Sequence, residues 1–399
     1  MVKRITIMNF KAISFLSLEL MPFTMLIGEN SSGKSTVLQA LDFLFSITSR
    51  DINEYLRERE WDFSDIKSQF SKHDESMRFT TTFDIDGVHL IWDISICNDF
   101  DKLQVKESII DSDTDECYLS NGLPGPDWPF DFSQLNIESS ALKMLDIDRE
   151  NTAASTYAPI LYKLKSLLTL SRSFELLSPD RMRSSGSRGK AEDIGTSGER
   201  LAAYIHRMSS SRKSELSKTV SDFIGQNVKI ITSTKGSPGR VEMLLEETWK
   251  NDIIKIKKRY ISDGLLRIIA LTAILINHDS KKQVNNDSSV KSIVMLDEIE
   301  DGINPHHSEK LIGSFKKAVE ETKRQVIITS HSPVLLNSVD DDDILFMWRD
   351  SRGMIRAAPL FQSARMKEML DVLNPGEVWL NYSRDRIIEM LTPSPEDEK

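Results

Sequence analysis

Residues Gly28-Glu29-Asn30-Ser31-Ser32-Gly33-Lys34-Ser35-Thr36 form a complete G-x-x-x-x-G-K-[ST] phosphate loop. Such a loop works only between a strand and a helix, and the flanking residues supply both. Met25-Leu26-Ile27 is a short apolar run, and Val37, Leu38, Leu41, Leu44 and Phe45 recur at helical spacing. The glycines let main-chain N–H groups wrap phosphate oxygens at a helix N-terminus. Lys34 then faces the outer phosphates, and the Ser35 hydroxyl is a ligand for Mg²⁺. A nucleoside triphosphate with Mg²⁺ is the expected ligand.

Length and charge bound what surrounds that loop. A chain of 399 residues is long enough for an α/β core with an inserted lobe. The formal net charge of −10 argues against a surface that coats nucleic acid throughout. Charge is uneven, however: residues 181–260 carry 17 Lys+Arg against 9 Asp+Glu, a net of +8, which leaves −18 for the rest. Cys97 and Cys117 are too few and too far apart for a zinc site and are expected to pack. The N-terminal apolar run is broken by Asn9, Lys11 and Glu19, so it is not read as a signal peptide. The longest clean apolar stretch, Ile268 to Ile276, is far short of the roughly 20 residues of a membrane helix. A cytoplasmic protein without a membrane partner is expected.

Residues 4–27 alternate as half-buried strands do, and Arg78 to Asp84 and Val88 to Ile96 read as a hairpin across Asp86-Gly87. An antiparallel layer is thus expected beside the main sheet. From Asn98 to about Asn151 the chain is acidic and turn-rich, and reads as an insertion. The basic block follows, with helical patterns at Glu199 to Met208 and Lys213 to Ile224 and no sustained heptad. The last residues, 392–399, are expected to fray.

Three further motifs stand in a set order. Tyr260-Ile261-Ser262-Asp263-Gly264-Leu265-Leu266-Arg267 precedes an apolar segment, so Ser262 and Gly264 would cap a buried helix. The strand Ile293-Val294-Met295-Leu296 ends in Asp297-Glu298, where a parallel sheet delivers residues to its ligand crevice. Asp297 suits Mg²⁺, and Glu298 suits the water that attacks a γ-phosphate. Gln325 to Ser330 is another apolar strand, ending in His331, a candidate contact to the γ-phosphate. Taken singly, each has a plainer reading as an ordinary N-cap, charged turn or surface histidine.

Together with Asn9-Phe10-Lys11, these motifs resemble those of ABC-type ATPases, and within them the SMC-like and overcoming-lysogenization-defect (OLD) branch. Ser178-Pro179-Asp180-Arg181 and Gly195-Thr196-Ser197-Gly198-Glu199 are similar to the mid-chain region of that branch. The resemblance implies a P-loop α/β fold with an SMC-like head: a mixed sheet flanked by helices, an N-terminal antiparallel layer and an inserted, mainly helical lobe. It implies an ATPase core over 1–97 and 290–360, an insertion over 98–254, the signature motif and its helix over 255–289, and a C-terminal helical extension and tail over 361–399. Catalysis would fall to Glu298, His331 and Lys34, nucleotide binding to residues 28–36, and Mg²⁺ to Ser35 and Asp297. Two heads would sandwich ATP, with Ser262 and Gly264 meeting the nucleotide held by the other subunit's Lys34.

Two departures are visible: Asp263 stands where transporters have glycine, and Asn304 where this branch often has histidine. The glutamine that senses Mg²⁺ has no clear place, Gln69 and Gln134 being the candidates. Only 68 residues follow His331, short for the Toprim nuclease domain of the OLD branch, and Asp340-Asp341-Asp342-Asp343 reads as a solvated loop. The expected role is an ATPase that couples ATP to DNA sensing or to a separately encoded effector such as a nuclease, in anti-phage defence. A non-catalytic ATP-dependent scaffold and a DNA repair or recombination ATPase are the alternatives. Ser71-Lys72-His73-Asp74 lacks the preceding strand that a guanine-reading motif needs. Lys255, Lys257, Lys258, Arg259, Arg181 and Arg183, with Arg188 and Lys190, are candidates for contact with double-stranded DNA or with an acidic partner, or form a solvated basic face.

Overall fold

The computed structural model describes residues 1–70, 76–99, 102–120, 123–124, 138–144, 158–175, 177–183, 186–187, 191, 193–234, 240–250, 252–276, 292–322 and 324–391. Its centre is a six-stranded sheet in the order Ile355–Pro359, Ile344–Arg349, Phe23–Ile27, Gln325–Ser330, Ile293–Leu296, Arg172–Phe174. All neighbours are parallel except the pair of Ile355–Pro359 with Ile344–Arg349. Three of the four inner strands, Phe23–Ile27, Ile293–Leu296 and Gln325–Ser330, are buried at every residue, as a sheet covered on both faces requires.

Alternation sends the two faces to two cores. Met25, Ile27, Val294, Leu296, Val326 and Ile328 pack with the helix Asp263–Ile276 and the lobe around it. Leu26, Ile293, Met295 and Ile327 pack instead with the helix Lys34–Ser46 and the N-terminal antiparallel sheet. Gln325, 2 % exposed, ties that second sheet to the first. Its side-chain oxygen accepts from Val2 N at 2.9 Å, and Nε2 donates to Val2 O at 2.8 Å and Met21 O at 3.0 Å.

The expected α/β head with an antiparallel layer is present, and the structure corrects two details. The chain after Asn98 is not wholly an excursion: Val88–Asp99, Lys102–Asp111 and Cys117–Ser120 continue the antiparallel sheet, and the acidic run 111–116 is the turn between the last two. The inserted lobe is not mainly helical. Besides Leu201–Arg207 and Ser210–Ile224 it holds an antiparallel sheet of Val228–Ser233, Arg240–Trp249 and Asp252–Lys257, joined by Gly186–Ser187. The period of two was present there, since Val241, Met243 and Leu245 are buried between more exposed neighbours.

Of the two cysteines, Cys97 is half-buried and Cys117 is exposed, so only the first can pack. The C-terminal extension is three helices, Ala364–Leu370, Pro375–Asn381 and Arg384–Leu391; the tail expected to fray lies outside the described residues. Asp340 to Asp343 form an acidic turn in which Asp340 pairs with Lys316 at 3.0 Å. No described helix is long and apolar enough to cross a membrane.

Glu107 holds the extended sheet to the segment 138–144. It is 4 % exposed, and its carboxylate accepts from Trp92 Nε1 at 3.1 Å, from Ser140 Oγ at 2.9 Å and from Ala141 N. Burial raises its pKa above the ordinary glutamate value, against the pull of those donors. Glu107→Ala leaves buried donors without an acceptor and should cost about 1–3 kcal/mol by chemical denaturation. Because the folded pKa is raised, the folded state binds the proton more tightly, and this group's contribution falls as pH rises from the ordinary glutamate pKa through the raised value. The stability difference between wild type and variant should show that slope; a pH-independent difference would refute it.

Candidate nucleotide site

The phosphate loop is held by its neighbours before any ligand is considered. Gly28 has φ +155°, and a Cβ there would lie 2.2 Å from Met347 O, so the loop presses against the adjacent strand more closely than a side chain permits. Arg349, at the end of that strand, donates from Nε to Ser31 O at 2.7 Å. Arg384 of the C-terminal extension reaches Glu29 at 3.3 Å. Lys34, 6 % exposed, donates to Gly28 O at 2.8 Å and Glu29 O at 3.1 Å. Burial pushes its pKa below the ordinary lysine value, opposed by the charges of Asp297, Glu298 and Glu300. The Ser32 hydroxyl, inside the loop, is buried with no hydrogen-bond partner.

Three segments distant in sequence meet beside the loop. Ser35 Oγ donates to Asp297 Oδ1 at 3.2 Å, and Thr329 Oγ1 donates to the same carboxylate oxygen. Thr329 also accepts from Glu298 N at 2.9 Å, which fixes the residue next to Asp297. Glu298 sits at φ +47°, an uncommon conformation for a residue with a side chain, of the kind stored at functional sites. Burial raises its pKa, Asp297 and Asp301 add to the rise, and His331 opposes it. Phosphate loop, Asp297, Glu298 and the end of the His331 strand thus share one edge of the sheet. His331 lies 3.1 Å from Glu300 through Nδ1.

The donor set suits Mg²⁺: a hydroxyl and a carboxylate, both hard oxygen ligands, beside a loop built for phosphate. No group of three or more His, Cys, Asp or Glu among the described residues could hold a metal alone, so a cation here would need further oxygens from its ligand. Of the glutamines considered as Mg²⁺ sensors, Gln69 is in an exposed turn and Gln134 lies outside the described residues. The strand beside Asp297 instead continues into Glu175. Asp297 N donates to Phe174 O at 3.1 Å, and Glu175 pairs with Arg59 at 2.7 Å, which also holds Asp42 at 2.6 Å.

Ser262 is exposed and accepts from Leu265 N at 3.4 Å, as an N-cap for Asp263–Ile276. Gly264 lies so close to the Asp297–Gly302 turn that a Cβ would be 2.4 Å from Gly302 O. Arg267 pins the same turn, donating to Asp301 O at 2.8 Å and pairing with its carboxylate at 3.1 Å. Asp263 has a local explanation as well: Arg183 pairs with it and donates to Ile261 O at 2.7 Å.

The basic candidates do not form one free patch. Arg183 is engaged with the signature motif, Lys255 pairs with Glu246 at 3.3 Å, and the Lys258 ammonium is buried without a hydrogen-bond partner. Arg259 lies over the Tyr260 ring at 4.6 Å, while Arg181 and Lys257 are exposed. Arg188 and Lys190 fall outside the described residues.

Sequence reasoning did not single out Thr329, Glu300, Glu175, Arg59 or Arg267. Thr329 and Arg267 stand inside motifs already marked, and Glu300 lies two residues past Glu298; the signal of Thr329 is a polar residue at the end of an apolar strand. Arg59 has no local signal. If Thr329 clamps Asp297 and Glu298, Thr329→Val should lower ATP turnover roughly 10-fold or more while nucleotide affinity stays within a few-fold. Equal turnover in steady-state assays would overturn this.

Known proteins share the fold and the domain type. A family model described as "AAA ATPase domain" matches residues 1–123, and one described as "AAA domain, putative AbiEii toxin, Type IV TA system" matches residues 174–337. No curated protein matches the sequence. Among solved structures, an SMC head bound to the C-terminal winged-helix domain of ScpA shares 15 % identity, with 90 % of this chain and 97 % of that one covered and a TM-score of 0.50. An SMC head with an extended coiled coil, bound to the C-terminal domain of ScpA derived from Pyrococcus furiosus, shares 13 % identity over 93 % of this chain and 99 % of that one, also with a TM-score of 0.50. The SMC head fold is therefore shared, and with the two ATPase-domain matches it supports an ATPase of the ABC/SMC-like kind.

Proposed function

We propose that this chain is a Mg²⁺-dependent ATPase of the SMC/OLD type that closes as a head-to-head dimer over two ATP molecules. The convergence of Ser35 and Thr329 on Asp297 at the mouth of the phosphate loop, with Thr329 also holding the Glu298 main chain, carries this reading. Ser35 and Asp297 would hold Mg²⁺, which offsets phosphate charge when bound. Lys34 contributes a buried positive charge to the phosphates. Glu298, desolvated beside other carboxylates, accepts the proton of the attacking water, and its raised pKa favours that transfer. His331, at the end of the neighbouring strand, faces the γ-phosphate.

The dimer follows from the signature motif. Ser262 is exposed at the start of a 14-residue helix, and that N-terminus is suited to an anion. Its place on the surface leaves it available to a second subunit's nucleotide.

The output coupled to ATP is DNA sensing or control of a separately encoded effector. Arg183 is engaged and the Lys258 tip is buried, whereas Arg181, Lys255, Lys257 and Arg259 stay exposed to a phosphate backbone or an acidic partner. The anti-phage setting rests on the OLD-like motifs and on the toxin–antitoxin description of one matched domain family.

Mixing tests the shared site. Lys34→Ala and Ser262→Arg should each abolish turnover alone. Mixed dimers retain one intact composite site, so an equimolar mixture should recover about a quarter of wild-type activity. Glu298→Gln should retain ATP and shift to a dimer on sizing with light scattering. No recovery on mixing, with both variants folded, would refute the sandwich; ATP turnover unchanged in Glu298→Gln would refute its role as base.

A further inference from the structure

Glu300 is placed at this site with unusual care for a residue that the proposed chemistry leaves without a task. The turn after the Ile293–Leu296 strand fixes its main chain. Asp301 N donates to Glu298 O at 3.2 Å, Ile303 N donates to Glu300 O at 3.0 Å, and Ile299 is buried at 3 % exposure as the apolar anchor. So held, the Glu300 side chain crosses to the end of the Gln325–Ser330 strand.

There one carboxylate oxygen meets His331 twice. Oε1 accepts from His331 N at 2.7 Å and lies 3.1 Å from Nδ1. The Glu300 side chain is only 14 % exposed, whereas that of His331 is 49 % exposed. An imidazole so open to water would rotate freely without a tether. The contact is also chemically selective: an ionised carboxylate only accepts, so its closeness to Nδ1 favours hydrogen on that nitrogen and leaves Nε2 for a ligand.

The other oxygen, Oε2, is buried with no partner. A pair made for stability alone would not leave it so. Of the charged groups around the site, Lys34 is held by the loop carbonyls and Asp297 by Ser35 and Thr329, while Arg267 pairs with Asp301 and keeps its own Nε buried without a partner.

We infer that Glu300 is the positioning residue for His331, holding the ring in the Nδ1–H tautomer and presenting Nε2 to the terminal phosphate. This inference rests on the ATPase reading for its consequence, although not for its geometry. His331→Ala should lower kcat by about 10²-fold, and Glu300→Ala nearly as much, with KM for ATP within about threefold of wild type. The double variant should be no worse than His331→Ala, because both changes remove one unit. Glu300→Gln keeps an acceptor oxygen and should return to within about threefold of wild type.

A readout independent of turnover separates the inference from the reading beneath it. In protein labelled with ¹⁵N-histidine, signals lost in His331→Ala identify the ring; they should report Nδ1–H in wild type and Glu300→Gln, and a mixture of tautomers in Glu300→Ala. An Nε2–H tautomer in the wild type overturns the inference whether or not the chain hydrolyses ATP. Multiplicative losses in the double variant overturn it too. If Glu300→Gln is as inactive as Glu298→Gln, Glu300 acts through its own charge and not by positioning. Absence of ATP turnover in the wild type would refute the ATPase reading alone, with the spectra still deciding the role of Glu300.

Discussion

Asp297 is the residue on which the rest of the head depends. Its carboxylate receives Ser35 from the phosphate-loop helix and Thr329 from the neighbouring strand, and its main-chain N–H is bound by Phe174 of the strand on the other side. A carboxylate at the edge of a sheet is ordinarily solvated and mobile. Here two hydroxyls and two flanking strands fix it, so in the proposed site it would meet a cation already oriented. The cost of gathering acidic groups so closely appears next door, where Glu298 is desolvated, surrounded by negative charge and held at a positive φ.

That node needs the double-faced sheet. Strands buried on both sides can present only their carboxyl ends to a ligand, and here those ends are Ile27, Phe174, Leu296 and Ser330. The two cores lock the strands from opposite faces, and Gln325 stitches the antiparallel sheet to the opposite end of the His331 strand. The same strand thus carries a structural clamp at one terminus and Thr329 and His331 at the other.

The parts legible in the sequence are those in which one short stretch carries its own reason. A phosphate loop needs particular residues at particular places, Asp86-Gly87 turns a hairpin, and Ile293 to Glu298 couples an apolar run to two acids. The extension of the antiparallel sheet beyond Asn98 was hidden by buried acids. Along Lys102–Asp111 the inward positions are Leu103, Val105, Glu107, Ile109 and Asp111, and two carboxylates in such a set disguise a period of two. Glu107 is tolerable there only because Trp92, Ser140 and Ala141 supply donors from elsewhere in the chain. Asp263, which stands where transporters have glycine, likewise has a distant explanation. Its partner, Arg183, stands 80 residues away, and no local pattern joins them.

The signature motif and the Asp297–Gly302 turn are not independent in one chain. Gly264 touches Gly302, Arg267 grips Asp301, and between Asp301 and Asp297 lie Glu298 and Glu300. A shift of the helix Asp263–Ile276 by even a fraction of an ångström must therefore move the turn, because a close contact with a backbone carbonyl does not yield as a flexible side chain would. In the proposed sandwich, the signature helix would answer to the nucleotide of the partner while the turn would answer to its own. Contact between them would then give each subunit a short physical route by which occupancy of one site alters the geometry of the other, and the Arg183–Asp263 pair would extend that route into the inserted lobe.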